Sequence, residues 1–230
     1  LHVLSTILFD KPAFKNVIVN GILLAADGEK LSKRKKNYPD PNYLFDSKGV
    51  DSLRYFLYSS TSPLAEDVRF SEAHVDEVIK KFTLTLWNTY SFFVTYANID
   101  KFKPYDDAKA ARFKPSNKLD QWILSELNVL IGEVTKNMNE YNLTWATRPM
   151  QDFLDNLSNW YVRRSRRRFW KSENDSDKEQ AYQTLYMVLT TFCKLLAPFM
   201  PFLADEIFIN LTGKKSVHME DWPKVRESTI

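Results

Sequence analysis

The sequence predicts a mostly α-helical chain: a short α/β segment, then an antiparallel bundle of helices. Three observations carry this. Apolar residues recur every three or four positions through long stretches after about Ser71, the spacing of one helix face. Only 5 of 230 residues are glycine, too few for a turn-rich all-β fold. Aromatic residues make up 14%, enough bulk to fill a thick core.

The opening "LHVLSTILFD" spaces Leu1, Leu4 and Leu8 as a helix would, and Lys11-Pro12 ends it. Leu1 in place of an initiating methionine reads as the start of a segment within a longer protein. "KNVIVNGILLA" is a β-branched run that predicts a buried strand, interrupted at Asn20-Gly21 by a turn or bulge. A basic loop follows. "PNYLFDSKGVDSLRYFLYSS" predicts short helices with Leu53, Phe56 and Leu57 inward, and "SPLAEDVRFSE" an irregular connector.

From Ser71, Val75, Val78, Ile79, Phe82, Leu86, Tyr90, Phe93 and Ala97 form the first long stripe. A second runs from Leu119 through Ile123, Leu127 and Val134 to Met138, and a third includes Phe153, Leu154, Leu157, Trp160 and Tyr161. "SENDSDKEQ" breaks the pattern, with Asp175 or Ser176 as the N-cap of a fourth helix from Tyr182 to Leu196. Pro198 and Pro201 bracket a turn into a shorter fifth, "FLADEIFINL". The divisions are residues 1–45, 46–70 and 71–230.

Hydrophobic content of 44% and charged content of 27% are those of an ordinary globular protein. A lone cysteine, Cys193, excludes an internal disulfide and a cysteine metal cluster, and suits a reducing compartment. Placed in an apolar helix, it reads as inert packing. His2, His74 and His218 lack metal-ligand spacing, so no metal site is predicted. No apolar run reaches membrane-spanning length.

The net charge is only +3, yet "DGEKLSKRKKNYPDP" gathers Lys30, Lys33, Arg34, Lys35 and Lys36 into one loop. Three readings stand: a solvated turn, a contact to nucleic-acid phosphates, or a clamp on a phosphoryl group in which a lysine stabilises charge developing in the transition state. The G-x-x-x-x-G-K-[ST] pattern of a P-loop is absent.

"NWYVRRSRRRFW" is the second concentration of charge. At helical spacing Arg164 and Arg168 continue the face of Phe153, Leu157 and Tyr161, where pairing with Asp205 or Glu206 is the bland expectation. Arg163, Arg166 and Arg167 point outward, suited to an RNA backbone or to stacking on unpaired bases. Trp160 and Trp170 are expected in the core.

"KLSKR" resembles the Lys-Met-Ser-Lys-Ser signature loop of class I aminoacyl-tRNA synthetases, with Leu31 for Met and Arg34 for the last Ser. The flanking "VIVNGILLAADGEKLSKRKKNYPDP" and "GVDSLRYFLYSSTSPLAEDVRFSE", together with "LSNWYVRRSRRRFW", resemble segments of the isoleucyl-type enzymes. The resemblance implies that residues 1–45 are the C-terminal edge of a Rossmann-type catalytic domain, 46–70 a stem-contact connector, and 71–230 a helical anticodon-binding domain. It implies an ATP-dependent ligase of the cytoplasm, using Mg²⁺ with its ATP, that activates isoleucine and charges tRNA(Ile), gripping the anticodon stem-loop. Lys33 is then the main contact to the phosphates and Lys30 the secondary one. Leu31 seats the loop, Ser32 hydrogen-bonds within it, and Gly28 is its hinge. Lys35 and Lys36 have no matching role. The family's His-x-Gly-His-type motif is absent, and its amino-acid pocket and editing domain lie upstream, so the chain alone is expected to be inactive. The alternatives are a valyl- or leucyl-type ligase, a non-catalytic tRNA-binding module derived from a synthetase, and a structural bundle without a ligand.

Overall fold

The computed structural model describes residues 1–32, 34–35, 37–171 and 175–226. The first apolar run forms α1 (His2–Phe9), and Asp10 ends it in the left-handed conformation (φ 52°), two residues before Pro12. The β-branched run after it does not form a buried strand. Val17, Ile18 and Val19 are exposed, and only Leu23–Leu24 pairs, as β1. Its partner β2 (Val68–Arg69) lies in the segment expected to be irregular, and runs parallel. Val68 N–H donates to the Ile22 carbonyl (3.0 Å) and Phe70 N–H to that of Leu24 (2.8 Å). A strand needs backbone partners on its edges. Among the described residues β2 offers a short stretch of them, so the pairing stops where β2 does.

Gly21 is neither turn nor bulge. It is the place where two chain segments touch: a Cβ there would lie 1.8 Å from the Glu66 carbonyl oxygen, and its N–H donates to the Ser62 carbonyl at 2.8 Å.

The parallel pairing requires a crossover, supplied by α2 (Pro41–Lys48) and α3 (Val50–Ser59). Asp40 caps α2 by accepting from Asn42 N–H, with Pro41 at the first helical position. Under this connector Leu44, Phe70 and Val75 make a small cluster with Leu53 and Phe56. Two contacts of α3 tie the connector to the bundle. The Tyr55 hydroxyl donates to the Thr147 carbonyl (3.0 Å) while its ring packs 4.3 Å from that of Phe82. Asp51 accepts from Leu203 N–H (2.7 Å) and Phe202 N–H (3.4 Å). It thereby caps a distant helix whose own N-cap, Met200, has no side-chain acceptor.

The predicted long helices are present. The first stripe is α4 (Glu72–Val78) and α5 (Leu84–Ile99), joined without a break by a π-helical turn over Ile79–Thr83. After the short α6 (Asp107–Ala111) come α7 (Lys118–Asn139) and α8 (Leu143–Asp155), then a second π-helical stretch, Asn156–Val162, running into α9 (Arg163–Trp170). Finally α10 (Ser176–Leu196) begins at the Asp175 cap and α11 (Pro201–Thr212) follows the proline-bracketed turn. One core joins these helices, with Phe82, Leu86, Ile123, Met150, Leu154, Tyr161, Leu185, Phe192 and Phe208 at its centre. Burying each such side chain is worth roughly 1.5–3 kcal/mol, against about 0–1 kcal/mol for an exposed ion pair such as Lys81–Glu77. The bundle is therefore held by its apolar stripes. No helix among the described residues is long and apolar enough to cross a membrane.

Candidate nucleotide loop and nucleic-acid interface

The basic loop leaves β1 through a tight turn. Gly28 N–H donates to the Ala25 carbonyl (2.9 Å), Ala25 N–H to that of Glu29 (2.8 Å), and Leu24 bridges antiparallel to Lys30. The turn needs φ +87° at Gly28, a region L side chains avoid, and the Arg69 guanidinium lies 3.4 Å from where a Cβ would be. Beyond Lys30 the loop is closed by Asn37. Its Oδ1 accepts from Ser32 N–H (2.8 Å) and its Nδ2 donates to the Lys30 carbonyl (3.2 Å). Sequence reasoning passed over Asn37. The available signal was an amide side chain just after a charge run and before Pro39, a residue type that bonds to nearby loop backbone.

Lys30 and Arg34 are exposed and, among the described residues, neither pairs with a carboxylate. Leu31 and Ser32 are half-buried, and Ser32 joins the loop through its backbone N–H. Lys35 is paired with Glu29 (2.5 Å), whose hydrogen bond and then whose charge raise the Lys35 pKa. Lys33, expected to be the main phosphate contact, and Lys36 lie outside the described residues.

The second site is the surface of α9. Its buried arc is Tyr161, Val162, Ser165, Arg168 and Phe169. At about 100° per residue Ser165 centres that arc, and Arg164 falls about 100° off it. Arg164 is accordingly exposed, a correction to the expectation that it continues the inner face. It instead packs its guanidinium over the Trp160 ring, 4.5 Å from the centroid. Trp160 and Trp170 are 52% and 53% exposed, so they are surface residues and not part of the core.

Arg168 does turn inward, but not to Asp205 or Glu206. It meets Asp120 in the first turn of α7 and Asp177 at the start of α10. Asp205 is occupied by Ser216 Oγ (2.8 Å) and Val217 N–H (2.7 Å), and Glu206 accepts from Asn210 (2.9 Å).

Arg163 and Arg167 point directly away from the core, and Arg166 lies on the flank towards α5, 5.9 Å from the Phe92 ring centroid. Among the described residues no carboxylate pairs with Arg163, Arg164, Arg166 or Arg167. Four unneutralised guanidinium groups on one short helix attract a polyanion, and planar guanidinium and indole groups offer stacking surfaces. Asn159, Trp160, Arg163 and Arg164 line a shallow depression there.

Cys193 is fully buried and burial pushes its thiol well up, so it is a poor nucleophile. No group of three or more His, Cys, Asp or Glu among the described residues could hold a metal ion.

Residues 1–71 match the family described as tRNA synthetases class I (I, L, M and V), and residues 120–230 that described as the anticodon-binding domain of tRNA ligase. The whole chain is 48% identical to an isoleucine–tRNA ligase of Chlamydia pneumoniae, and 49% identical to one of Dehalococcoides mccartyi. It spans 22% and 23% of those two proteins, about a fifth of their length. Among solved structures, LeuRS of Agrobacterium radiobacter K84, in a ternary complex with tRNA and LeuAMS, superposes with a TM-score of 0.75 at 19% identity. The match covers 99% of this chain and 26% of that one. A methionyl-tRNA synthetase of Mycobacterium tuberculosis, in complex with methionyl-adenylate, gives 0.63 at 24% identity over 80% of this chain and 36% of that one. These two likenesses establish the fold. The sequence matches, which run from the first residue to the last, show that the chain belongs to the class I aminoacyl-tRNA synthetases, as a segment of the isoleucine–tRNA ligase family.

Proposed function

We propose that this chain supplies two parts of a longer isoleucine–tRNA ligase: the loop that holds the phosphates of ATP and the helical surface that grips the anticodon stem-loop of tRNA(Ile). Residues 1–45 are the C-terminal edge of a Rossmann-type catalytic domain, 46–70 the stem-contact connector, and 71–230 the anticodon-binding domain. The observation that carries this is the 48% identity over the entire chain to a protein named as that ligase. The exposed cations Lys30 and Arg34 on a loop closed by Asn37, and the α9 arginines that have no carboxylate partner among the described residues, are in keeping with it.

In this reading the isoleucine carboxylate attacks the α-phosphorus of ATP and pyrophosphate leaves. Lys33, with Lys30 in support, stabilises the negative charge that grows on the phosphorus and the leaving group. Leu31 seats the loop and Gly28 sets its turn. The family resemblance implies that the ATP is used together with Mg²⁺. The work is cytoplasmic, alongside the rest of translation.

Isoleucine-dependent ATP–pyrophosphate exchange is the test. The full-length protein is expected to exchange with isoleucine in preference to valine or leucine, and the 230-residue chain alone to show none. Preference for valine or leucine in the full-length protein would overturn the assignment of the amino acid. Exchange by the chain alone would overturn the division of labour.

A further inference from the structure

Trp160 holds its indole at the surface just before α9 begins. Its ring carries the Arg164 guanidinium at 4.5 Å, and half of the residue remains open to solvent. Asn159 and Arg163 complete a shallow depression around the pair. Asn159 is exposed, and its side chain makes no hydrogen bond to another described residue, so its amide is free to read a polar edge. Arg163 and Arg167 flank the depression without a carboxylate partner among the described residues. A planar stacked pair, a free amide and unneutralised cations together match one chemistry: an unpaired nucleobase with its backbone phosphates. An apolar peptide would leave the arginines unmatched. A base-paired duplex would present phosphates, but no open ring face for Trp160 and Arg164.

We propose that Trp160 and Arg164 form a stacking platform for one unpaired base of an RNA loop, with Asn159 at the base edge and Arg163 on the adjoining phosphate. This rests on the proposal that the α9 surface grips RNA, and goes beyond it by naming which side chains hold a base and which hold only backbone. Arg166, on the opposite flank above Phe92, is outside the platform.

The test measures binding of the full-length protein to a short RNA hairpin with an open loop and to a blunt RNA duplex of equal charge, with 2-aminopurine in the loop as a stacking reporter. Trp160→Ala is expected to weaken hairpin binding about 10- to 100-fold, the loss of one stacked base, and to leave duplex binding unchanged. Arg164→Ala should weaken the hairpin more than the duplex, which loses only one attracting charge. Trp160→Phe should retain most of the hairpin affinity and the 2-aminopurine quenching. Arg163→Gln should weaken both RNAs alike and lower the salt slope by about 0.7–0.9. Hairpin affinity unchanged in Trp160→Ala, or an equal loss on hairpin and duplex, would overturn the platform and leave the RNA-gripping surface standing. Failure of the unsubstituted protein to bind either RNA would overturn both.

Discussion

Arg168 and Asp120 face each other fork to fork: Nη1 donates to Oδ1 and Nη2 to Oδ2, each at 2.7 Å, across 48 residues of sequence. The Tyr161 hydroxyl donates to the same Oδ1 at 2.7 Å, and Arg168 Nη2 also reaches the Asp177 carbonyl at 2.9 Å. One guanidinium therefore joins the first turn of α7, the end of α9 and the first turn of α10. Burial, and then the Asp120 charge, push the Tyr161 hydroxyl far above its ordinary pKa, so it remains a donor. Asp120 is completely buried. Removing Arg168 strands the buried Asp120 charge, at a cost of about 3–5 kcal/mol. Removing Asp120 leaves Arg168 the Asp177 carboxylate at 2.8 Å. Replacing both with apolar groups of similar volume is often nearly neutral. Arg168→Met is expected to lower the denaturant midpoint sharply, Asp120→Leu to lower it less, and the double variant to recover most of the loss. Additive losses would mean that the pair does not act as a unit.

Glu220 gives a pH dependence. Hydrogen bonds from Lys214 and Lys194, each at 2.9 Å, hold its carboxyl below the ordinary range. A depressed folded-state pKa contributes stability that is complete above the unfolded value of about 4.3 and fades as pH falls through the folded value. Glu220→Gln should therefore melt below the unsubstituted chain at neutral pH. The gap should narrow as pH drops below about 4. Because Lys214 is half-exposed, the contribution at neutral pH is about 1 kcal/mol or less. A gap that is constant with pH would exclude the charge as its source.

Two glycines should respond differently to alanine. At Gly21 the new Cβ meets backbone, so the segments around 21 and 66 must separate and β1 must lose β2. At Gly28 it meets only the flexible end of Arg69, and the cost is the positive φ, about 1–2 kcal/mol. Amide hydrogen exchange separates the two. Gly21→Ala should deprotect Val68 and Phe70, while Gly28→Ala should leave both protected and disturb only the loop.

In the full-length protein, Lys33→Ala is expected to slow isoleucine-dependent ATP–pyrophosphate exchange roughly 10²–10³-fold, the usual loss for one charge-stabilising donor. Lys30→Ala and Asn37→Ala should cost less, the first as a secondary contact and the second by loosening the strap between Lys30 and Ser32. Lys35→Ala should cost little, since Glu29 already neutralises that cation. An unchanged exchange rate in Lys33→Ala would end the assignment of the loop.

Asp51→Ala should cost about 1 kcal/mol, as for other lost caps, although the helix it caps lies some 150 residues away in sequence. The readout is the denaturant midpoint. An unaffected midpoint would mean that the amides of α11 are served equally well by water.

Much of the bundle was legible because a helix face is a local property. Val75, Phe82, Leu86 and Phe93 recur at a spacing that buries them together whatever they pack against, and Asp175 caps α10 through an amide three residues away. The strand reading of residues 15–25 failed for the opposite reason. A β-branched run becomes a buried strand only if another chain segment supplies hydrogen bonds and covers its faces, and here β2 supplies two residues' worth. At the candidate sites, the residue types were legible and their company was not. The arginines of α9 announced a charged helix, but the depression around Trp160 depends on Arg164 lying outside the buried arc.

The sequence by itself determined the long helical stripes, the cap that starts α10, the inert burial of Cys193 and the two concentrations of positive charge, because each depends on neighbours within a few residues, whereas the short α6 fell in a stretch without a periodic stripe. Only the tertiary structure decided that Arg168 meets Asp120 and not Asp205, that Asp51 caps α11, that Asn37 closes the basic loop, and that Trp160 stands in solvent. The physical reason is that helical and capping propensities act over one or two turns of chain. Which buried charge finds which partner is fixed by the packing of whole helices, whose relative rotation no short stretch of sequence encodes.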